Sequence, residues 1–93
     1  MRALTERPRL AAKARLRFDR KSDRHLLLYP ERGLELNPTA AAIAALLTGE
    51  RTVTEIVDAL ARQYTDRPRD VIERDVLSFL GSLHDRGLIE AGT

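Results

Sequence analysis

The pattern of the sequence changes from strand to helix within residues 24–49, RHLLLYPERGLELNPTAAAIAALLTG. The apolar run from His25 to Tyr29 has the length of a strand, and the alternation of Leu34-Glu35-Leu36 indicates another. Between them, Pro30 to Gly33 provide turn chemistry, because proline fixes φ and glycine accepts a positive φ. Asn37-Pro38 predicts a helix start, since asparagine caps free amides and proline has no amide to lose there.

The residues before this stretch predict one more strand. Arg15-Leu16-Arg17-Phe18-Asp19 alternates strictly between polar and apolar residues, which is typical of a strand with one dry face. The polar run from Arg20 to Arg24 then reverses the chain. Because the strands at 15–19, 25–29 and 34–36 follow one another through short connections, we expect a three-stranded antiparallel meander.

Three helices are predicted after the meander. The first is rich in alanine and runs to Thr48, with Gly49 in the position of a C-cap glycine. The second begins with capping-box spacing at Thr52-Val53-Thr54-Glu55. The third extends from Asp70 to Arg86, and Leu88-Ile89 suits a last short strand.

The apolar residues of the third helix form a stripe that predicts its buried face. Leu80 lies next to this stripe, and Leu77 and His84 lie further round on that flank. A sheet of three strands is too small to bury both faces, so the helices must cover one of them. We therefore predict an α+β, winged-helix-like domain, a three-stranded antiparallel β-meander followed by a three-helix bundle. The residues of the stripe are Ile72, Val76, Phe79 and Leu83.

The basic residues are concentrated near the N-terminus, although the net charge of the chain is only +2. Residues 1–24 hold nine bases and three acids (+6), whereas residues 25–93 hold seven bases and eleven acids (−4). We divide the chain into a basic N-terminal arm of residues 1–13, extended and in part flexible, and a single domain of residues 14–93. The arm either steers the domain to an acidic partner, pairs with another subunit, or is only a solvated terminus. The candidate partner-binding residues are Arg2, Arg7, Arg9 and Lys13.

The sequence offers little that indicates catalysis. It has no cysteine, no apolar stretch near the roughly 20 residues that span a bilayer and no signal-like apolar segment, so we expect a cytoplasmic protein without membrane contact. His25 and His84 have no second histidine at ligand spacing, and the glycines form no phosphate-binding loop. We expect no catalytic residue, metal or cofactor.

DNA binding is the main alternative, because winged helices commonly bind DNA and the pI is about 9.5. A recognition helix is expected to offer basic or amide side chains to bases and phosphates. The third helix is instead mainly acidic, so we expect no nucleic-acid partner. Its charged residues are Asp70, Glu73, Asp75 and Asp85 against Arg74 and Arg86.

Several of these segments, in this order and spacing, resemble the PqqD family of pyrroloquinoline quinone biosynthesis. The likeness runs from about Leu16 to Ile89 and includes Leu26-Leu27-Leu28-Tyr29-Pro30-Glu31 and Leu36-Asn37 before the alanine-rich helix. The chain departs from the family pattern after the Pro-Glu pair, where a glycine is usual and Arg32 stands here. The other segments that match are Glu50 to Val57, Asp75-Val76, Phe79-Leu80, Leu83 and Gly87-Leu88-Ile89.

The resemblance implies a non-catalytic peptide carrier. Such proteins bind the precursor peptide PqqA and carry it to the radical S-adenosylmethionine enzyme PqqE, with the peptide added as a strand beside the third strand and against the third helix. Strand addition needs an unblunted edge, and Leu34-Glu35-Leu36 contains neither proline nor lysine. Both a monomer and a homodimer are compatible with the sequence. The expected peptide-binding residues are Gly33, Leu34, Glu35, Leu36, Glu73, Val76, Leu77, Leu80, Leu83 and His84.

The leucines of the third helix have two interpretations. Leu77, Leu80 and Leu83 either line a groove for the peptide or complete the core. We expect Leu80→Asp to abolish peptide binding while helical content stays near normal. Loss of the fold would show instead that Leu80 is core, and survival of both the fold and binding would show that the third helix is not the site.

Overall fold

The computed structural model of the chain describes residues 4–92 and contains five strands and three helices. The elements run in the order β1 (Arg7–Leu10), β2 (Arg15–Asp19), β3 (Arg24–Tyr29), β4 (Arg32–Leu36), α1 (Pro38–Ala45), α2 (Val53–Gln63), α3 (Arg69–Asp85) and β5 (Ile89–Gly92). The predicted α+β class, with an antiparallel meander followed by three helices, is confirmed.

The meander has the strand order β2-β3-β4, so β2 and β4 are its two edges. Leu27 in β3 lies opposite Leu16 in β2 and Leu34 in β4, and these three side chains share one face of the sheet. Helix α1 packs against all three strands, and Leu27 is fully buried beneath the helices. The helices therefore cover one face of the sheet, as its small size requires.

Strand β1 was not predicted from the sequence. It pairs antiparallel with β5, and its backbone also bonds to the segment that follows α1: the Leu10 amide donates to the Leu47 carbonyl (3.0 Å) and the Gly49 amide to the Pro8 carbonyl (3.1 Å). The stretch interpreted as an arm, residues 1–13, thus includes a paired strand. The pattern gave no signal because β1 has only four residues and its buried residue is a proline, Pro8.

Helix α1 is shorter than predicted. It ends at Ala45 rather than at Thr48, and Gly49 is not its C-cap, so both of these predictions are wrong. The backbone of Leu47 is used by β1 instead of by the helix. Gly49 adopts a φ of +84°, and a Cβ there would lie 3.3 Å from Cδ of Arg9. Glycine is therefore favoured at this position by the crossing of β1, not by the end of the helix.

The turn between β3 and β4 also differs from the prediction. Tyr29 pairs with Arg32, which leaves Pro30 and Glu31 as a two-residue loop. Glu31 has the positive φ, +65°, whereas Gly33 lies inside β4. The prediction that Gly33 supplies the positive φ is therefore wrong. A non-glycine residue in this region costs roughly 1–2 kcal/mol.

Replacing Glu31 with glycine is expected to stabilise the domain by up to about 1 kcal/mol. The free energy gained by removing the strain of a left-handed non-glycine residue exceeds the entropic cost of fixing a glycine on folding. Asp23 also has a positive φ, +57°, but aspartate tolerates this region, so Asp23→Gly is a matched control with a smaller gain. Urea unfolding measures both values. A destabilised Glu31→Gly variant would contradict this turn geometry.

The core is built mainly from leucine, isoleucine and valine. In α3, Ile72, Val76 and Leu83 are buried as predicted, and Leu80 is also fully buried. Phe79, which the stripe placed in the core, is only partly buried and packs against the core from one side. The buried face of α3 is therefore rotated slightly towards Leu80.

The predicted capping box at the start of α2 is confirmed. The Glu55 amide donates to the Thr52 hydroxyl oxygen at 3.1 Å, and the Thr52 amide donates to the Glu55 carboxylate at 2.9 Å. The bond from the Thr52 amide, followed by the interaction with the Thr52 side chain, lowers the pKa of Glu55 below its ordinary value. The box satisfies two amides that the helix leaves unpaired.

Thr52→Ala is expected to lower the free energy of unfolding by about 1 kcal/mol at neutral pH through loss of this cap. Since the folded pKa of Glu55 is depressed, the contribution of its carboxylate is present above the ordinary pKa of 4.5 and is lost as the pH falls through the folded value. Because alanine keeps the Thr52 amide and removes only the interaction with the Thr52 side chain, the difference between the variant and the wild type should shrink only in part in acid. Urea unfolding at several pH values measures it, with exposed Thr65→Ala as control.

Candidate functional site

The outer edge of β4 is open. Within residues 4–92 no strand pairs with this edge. Because Tyr29 and Arg32 close a two-residue hairpin, the alternation of an antiparallel ladder directs the amides and carbonyls of Arg32, Leu34 and Leu36 towards β3. The amides and carbonyls of Gly33 and Glu35 point outwards. Backbone donors and acceptors are thus available for an added strand.

The side chains of β4 divide between the two faces of the sheet. Leu36 is buried and Leu34 is half-buried against the core. Glu35 lies on the opposite face, where its carboxylate accepts from Arg24 Nη1 at 3.0 Å. Both side chains of that ion pair are mostly exposed, so it contributes little to stability. An added strand would therefore have an apolar face towards the helices and a polar face towards solvent.

A cleft of about 350 Å³ begins where β4 ends and leads to α3. The guanidinium of Arg67 lies on its wall, where it donates to the Thr39 hydroxyl at 3.3 Å and lies 5.0 Å from the centre of the Tyr64 ring. A smaller void of about 10 Å³ shares part of this wall and reaches Val76 in the core. The cleft is lined by Asn37, Thr39, Ala40, Ile43, Arg67, Asp75 and Ser78.

The candidate residues of α3 occupy different environments. Val76, Leu80 and Leu83 are fully buried, so they support the surface from below and offer no exposed side chain to a ligand. Glu73 and Leu77 are partly buried and His84 is exposed. At about 100° per residue, Glu73 and Leu77 lie on one flank of the buried stripe, whereas Asp75 and Ser78 lie on the other.

Asp75 and Ser78 are the site residues of α3 that sequence reasoning missed, and Arg67 on the cleft wall was missed as well. The structure brings them to the cleft, together with the start of α1. Asp75 stood out in the sequence only as one of the acids of the third helix and as part of the family resemblance. No local pattern separates the two flanks of α3, because which one faces the end of β4 depends on how α1 and α2 pack.

The predicted arm residues are partly used within the domain. The Arg7 guanidinium donates to the Glu50 carbonyl at 2.7 Å, and that of Arg9 contacts the Glu90 carboxylate at 3.1 Å. Lys13 is exposed. Arg2 lies outside the described residues.

Titratable groups form no cluster that indicates catalysis in the described part of the chain. No group of three potential metal ligands occurs among residues 4–92. Apart from Glu55, a lowered pKa is found at Asp19, whose carboxylate accepts from the Ser22 hydroxyl and the Lys21 amide in the turn after β2. His25 packs on Phe18 with ring centres 4.8 Å apart, and His84 Nδ1 lies 3.8 Å from Asp85. Between residues 4 and 92, no helix is long and apolar enough to cross a membrane.

The chain is a small α+β domain with an open strand edge beside a helix-lined cleft. The family model for PqqD, coenzyme PQQ synthesis protein D, matches residues 24–89. A PqqA binding protein of Rhodopseudomonas palustris strain TIE-1 is 44% identical over 85 residues, which are 91% of this chain and 82% of that protein. The chain belongs to the PqqD family, and the resemblance inferred from the sequence is confirmed.

Relatives also include a longer, fused protein. The bifunctional coenzyme PQQ synthesis protein C/D of Methylorubrum extorquens is 39% identical over 83 residues, which are 89% of this chain but only 22% of that protein. The match therefore covers one part of a larger molecule.

Two solved structures share the fold. The PqqD part of Methylobacterium extorquens PqqCD, described as a stand-alone recognition element for ribosomally synthesized and post-translationally modified peptides, has a TM-score of 0.76 and 38% identity, covering 89% of this chain and 87% of that one. TbiB1 in complex with the TbiA(beta) leader peptide has a TM-score of 0.74 and 26% identity, covering 88% of this chain and 94% of that one.

Proposed function

We propose that this protein is a non-catalytic carrier of a precursor peptide in pyrroloquinoline quinone biosynthesis. In this proposal it binds PqqA as an added strand along the outer edge of β4 and presents the bound peptide to the radical S-adenosylmethionine enzyme PqqE. The observation that carries the proposal is the open edge of β4, which continues into the cleft beside α3. The class of the relatives agrees with it, since curated members are PqqA binding proteins and a structural relative holds a leader peptide.

The edge offers a peptide two kinds of contact: backbone hydrogen bonds and apolar side-chain packing. Gly33 and Glu35 each offer one amide and one carbonyl to an incoming strand, and each backbone bond contributes about 0.5–1.5 kcal/mol. Half-buried Leu34 lies on the helix-facing side of the strand, where apolar side chains of the peptide would extend the core. Alternate residues of the peptide would thus be held by different contacts.

The cleft extends the contact beyond the end of the strand. Arg67 and Asp75 place a cation and an anion on the walls of one small space. Polar or charged side chains of the peptide would be bound there more readily than large apolar ones. Leu77 and Glu73 remain proposed contacts on the other flank of α3, and Val76, Leu80 and Leu83 would shape the surface from beneath.

The expected affinity suits a carrier. A few backbone bonds and one or two buried side chains, at about 1.5–3 kcal/mol each, are offset by the cost of ordering a flexible peptide. The binding free energy that remains after this cost corresponds to a dissociation constant that is roughly micromolar. Such a complex forms at moderate concentrations and still releases its peptide.

The steering role of the basic arm stays a prediction. Arg7 and Arg9 already contact Glu50 and Glu90, so they have less freedom to meet a partner. Neutralising Arg2, Arg7, Arg9 and Lys13 together and then measuring association with PqqE at low salt tests the role. Unchanged association with PqqE would refute the steering role.

Calorimetric titration of the protein with synthetic PqqA tests the proposed function. We expect one peptide per protein with a dissociation constant in the micromolar range or somewhat below. A peptide of the same composition in scrambled order is the control. Absence of heat with PqqA, together with binding of a short DNA duplex, would refute the carrier function and support the DNA-binding alternative.

A further inference from the structure

The edge opposite to β4 exposes apolar side chains on the face that should be dry. Leu16 and Phe18 in β2 are 36% and 45% exposed, whereas Leu27, directly opposite Leu16, is fully buried. The helices thus cover β3 and the inner side of β4 more fully than β2, where these two side chains stay partly exposed. A phenylalanine that remains nearly half exposed beside a well-packed core is available to a partner.

The same edge is basic. Arg15 and Arg17 alternate with the apolar residues, so their side chains leave the same edge strand on the face away from the helices. Arg20 and Lys21 follow in the turn, with Asp19 as the one acid among residues 15–21. The Asp19 carboxylate accepts hydrogen bonds from the Ser22 hydroxyl (2.8 Å) and the Lys21 amide (3.1 Å) of its own turn, and its negative charge offsets part of the charge of Arg17. Within residues 4–92, Arg15, Arg20 and Lys21 make no ion pair, in contrast to Arg7, Arg9 and Arg24.

We propose that this edge, with Leu16 and Phe18 on its helix-side face, Arg15 and Arg17 on the other face and Arg20 and Lys21 in the turn, docks on an acidic partner protein that holds the edge from both faces and offers an apolar contact to Leu16 and Phe18. The six residues are here termed the β2 surface. The partner is the peptide-modifying enzyme, an assignment that rests on the proposed function. Aromatic and arginine side chains are enriched among the residues that dominate binding at protein interfaces, and unpaired bases favour an acidic counterpart.

The position of the surface fits a carrier that is bound on two sides. β2 and β4 are the two edges of one meander, with β3 between them, so a peptide on β4 leaves the β2 surface free. A carrier that must hold the peptide while it contacts the enzyme needs two separate surfaces. The alternating arginines also disfavour addition of another strand at β2, because long basic side chains on an edge oppose such pairing.

A second copy of the chain is a poorer occupant of the same surface. Two β2 edges that pair around a two-fold axis would bring the arginines of both copies close together, and like charges at an interface oppose association. The complementary partner therefore carries acids.

The double variant Arg15→Glu/Arg17→Glu tests the proposal against purified PqqE, with PqqA present. We expect at least about tenfold weaker binding to the enzyme at low salt and a PqqA affinity within about twofold of the wild type. Phe18→Ala is expected to weaken enzyme binding without a change in charge. The matched control is Arg62→Glu/Arg74→Glu, which reverses two exposed bases outside the β2 surface and should leave both affinities unchanged.

Circular dichroism and sedimentation velocity accompany the binding measurements. Unchanged enzyme binding by the β2 variants, or equal losses in the control, would overturn the proposal. If the β2 variants lose self-association but keep enzyme binding, the proposal is also overturned, and the surface is assigned to contact with a second copy of the chain. If PqqA fails to bind the wild-type protein but PqqE binds it in a manner that depends on Arg15 and Arg17, the carrier function fails while the docking surface stands.

Discussion

Glu35→Pro is expected to weaken PqqA binding at least about tenfold while the domain remains folded. The Glu35 amide points away from β3, so proline removes a donor from the free edge without removing a bond of the meander. Proline is tolerated on an edge strand in this situation. The added peptide strand would lose one backbone hydrogen bond and would contact the proline ring. A loss of about 1.4 kcal/mol of binding free energy already corresponds to a tenfold weaker affinity.

Glu35→Ala is the matched control for this variant. It removes the exposed ion pair with Arg24 but keeps the backbone amide. We expect an affinity close to that of the wild type, measured by calorimetry. Equal affinities for Glu35→Pro and the wild type would exclude strand addition at β4, whereas an equal loss in both variants would assign the effect to the carboxylate.

Leu80→Asp is expected to unfold the domain, in contrast to the prediction from the sequence that it abolishes peptide binding while helical content stays near normal. Leu80 is fully buried in the core cluster, and no polar or charged side chain is buried in the part of the chain that the structure describes. Removal of a buried leucine side chain costs about 2–5 kcal/mol, and an unpaired carboxylate in its place costs more. The sum is comparable to the net stability of a small domain, about 5–15 kcal/mol. Loss of helical circular dichroism and of dispersed amide resonances would show it.

Leu77→Asp is the comparison on the same helix. Leu77 is only partly buried, so its replacement leaves the carboxylate access to water and should preserve the fold. A Leu80→Asp protein as stable as the wild type would contradict the packing of α3. Of the two interpretations of these leucines, the structure favours core for Leu80 and Leu83, and only Leu77 retains a surface that a peptide could touch.

The elements with strong local signals could be predicted from the sequence. The strict alternation of residues 15–19 and the capping-box spacing at Thr52 both depend on neighbours within a few residues, and both are found in the structure. Strand β1 could not be predicted in this way. It has four residues, of which Pro8 is the buried one, so no apolar alternation marks it, and its pairing with β5 joins Arg9 to Glu90 far along the chain.

The candidate site was predictable in part. The edge position of β4 follows from the order of three short strands, which the sequence shows directly. The cleft depends on how α3 is rotated against α1, and that rotation decides that Asp75 rather than Leu77 faces it. The positive φ at Glu31 was missed because glycine two residues later offered a more familiar explanation of the turn.

Amide NMR of isotope-labelled protein titrated with PqqA tests the central claim most directly, because it locates the bound peptide residue by residue. Strand addition predicts the largest shifts at residues 33–36, with further shifts in the α3 residues that border the cleft, and slower hydrogen exchange of the Gly33 and Glu35 amides. Shifts confined to β2 and the turn after it, or no shifts at saturating peptide, would contradict peptide binding at β4.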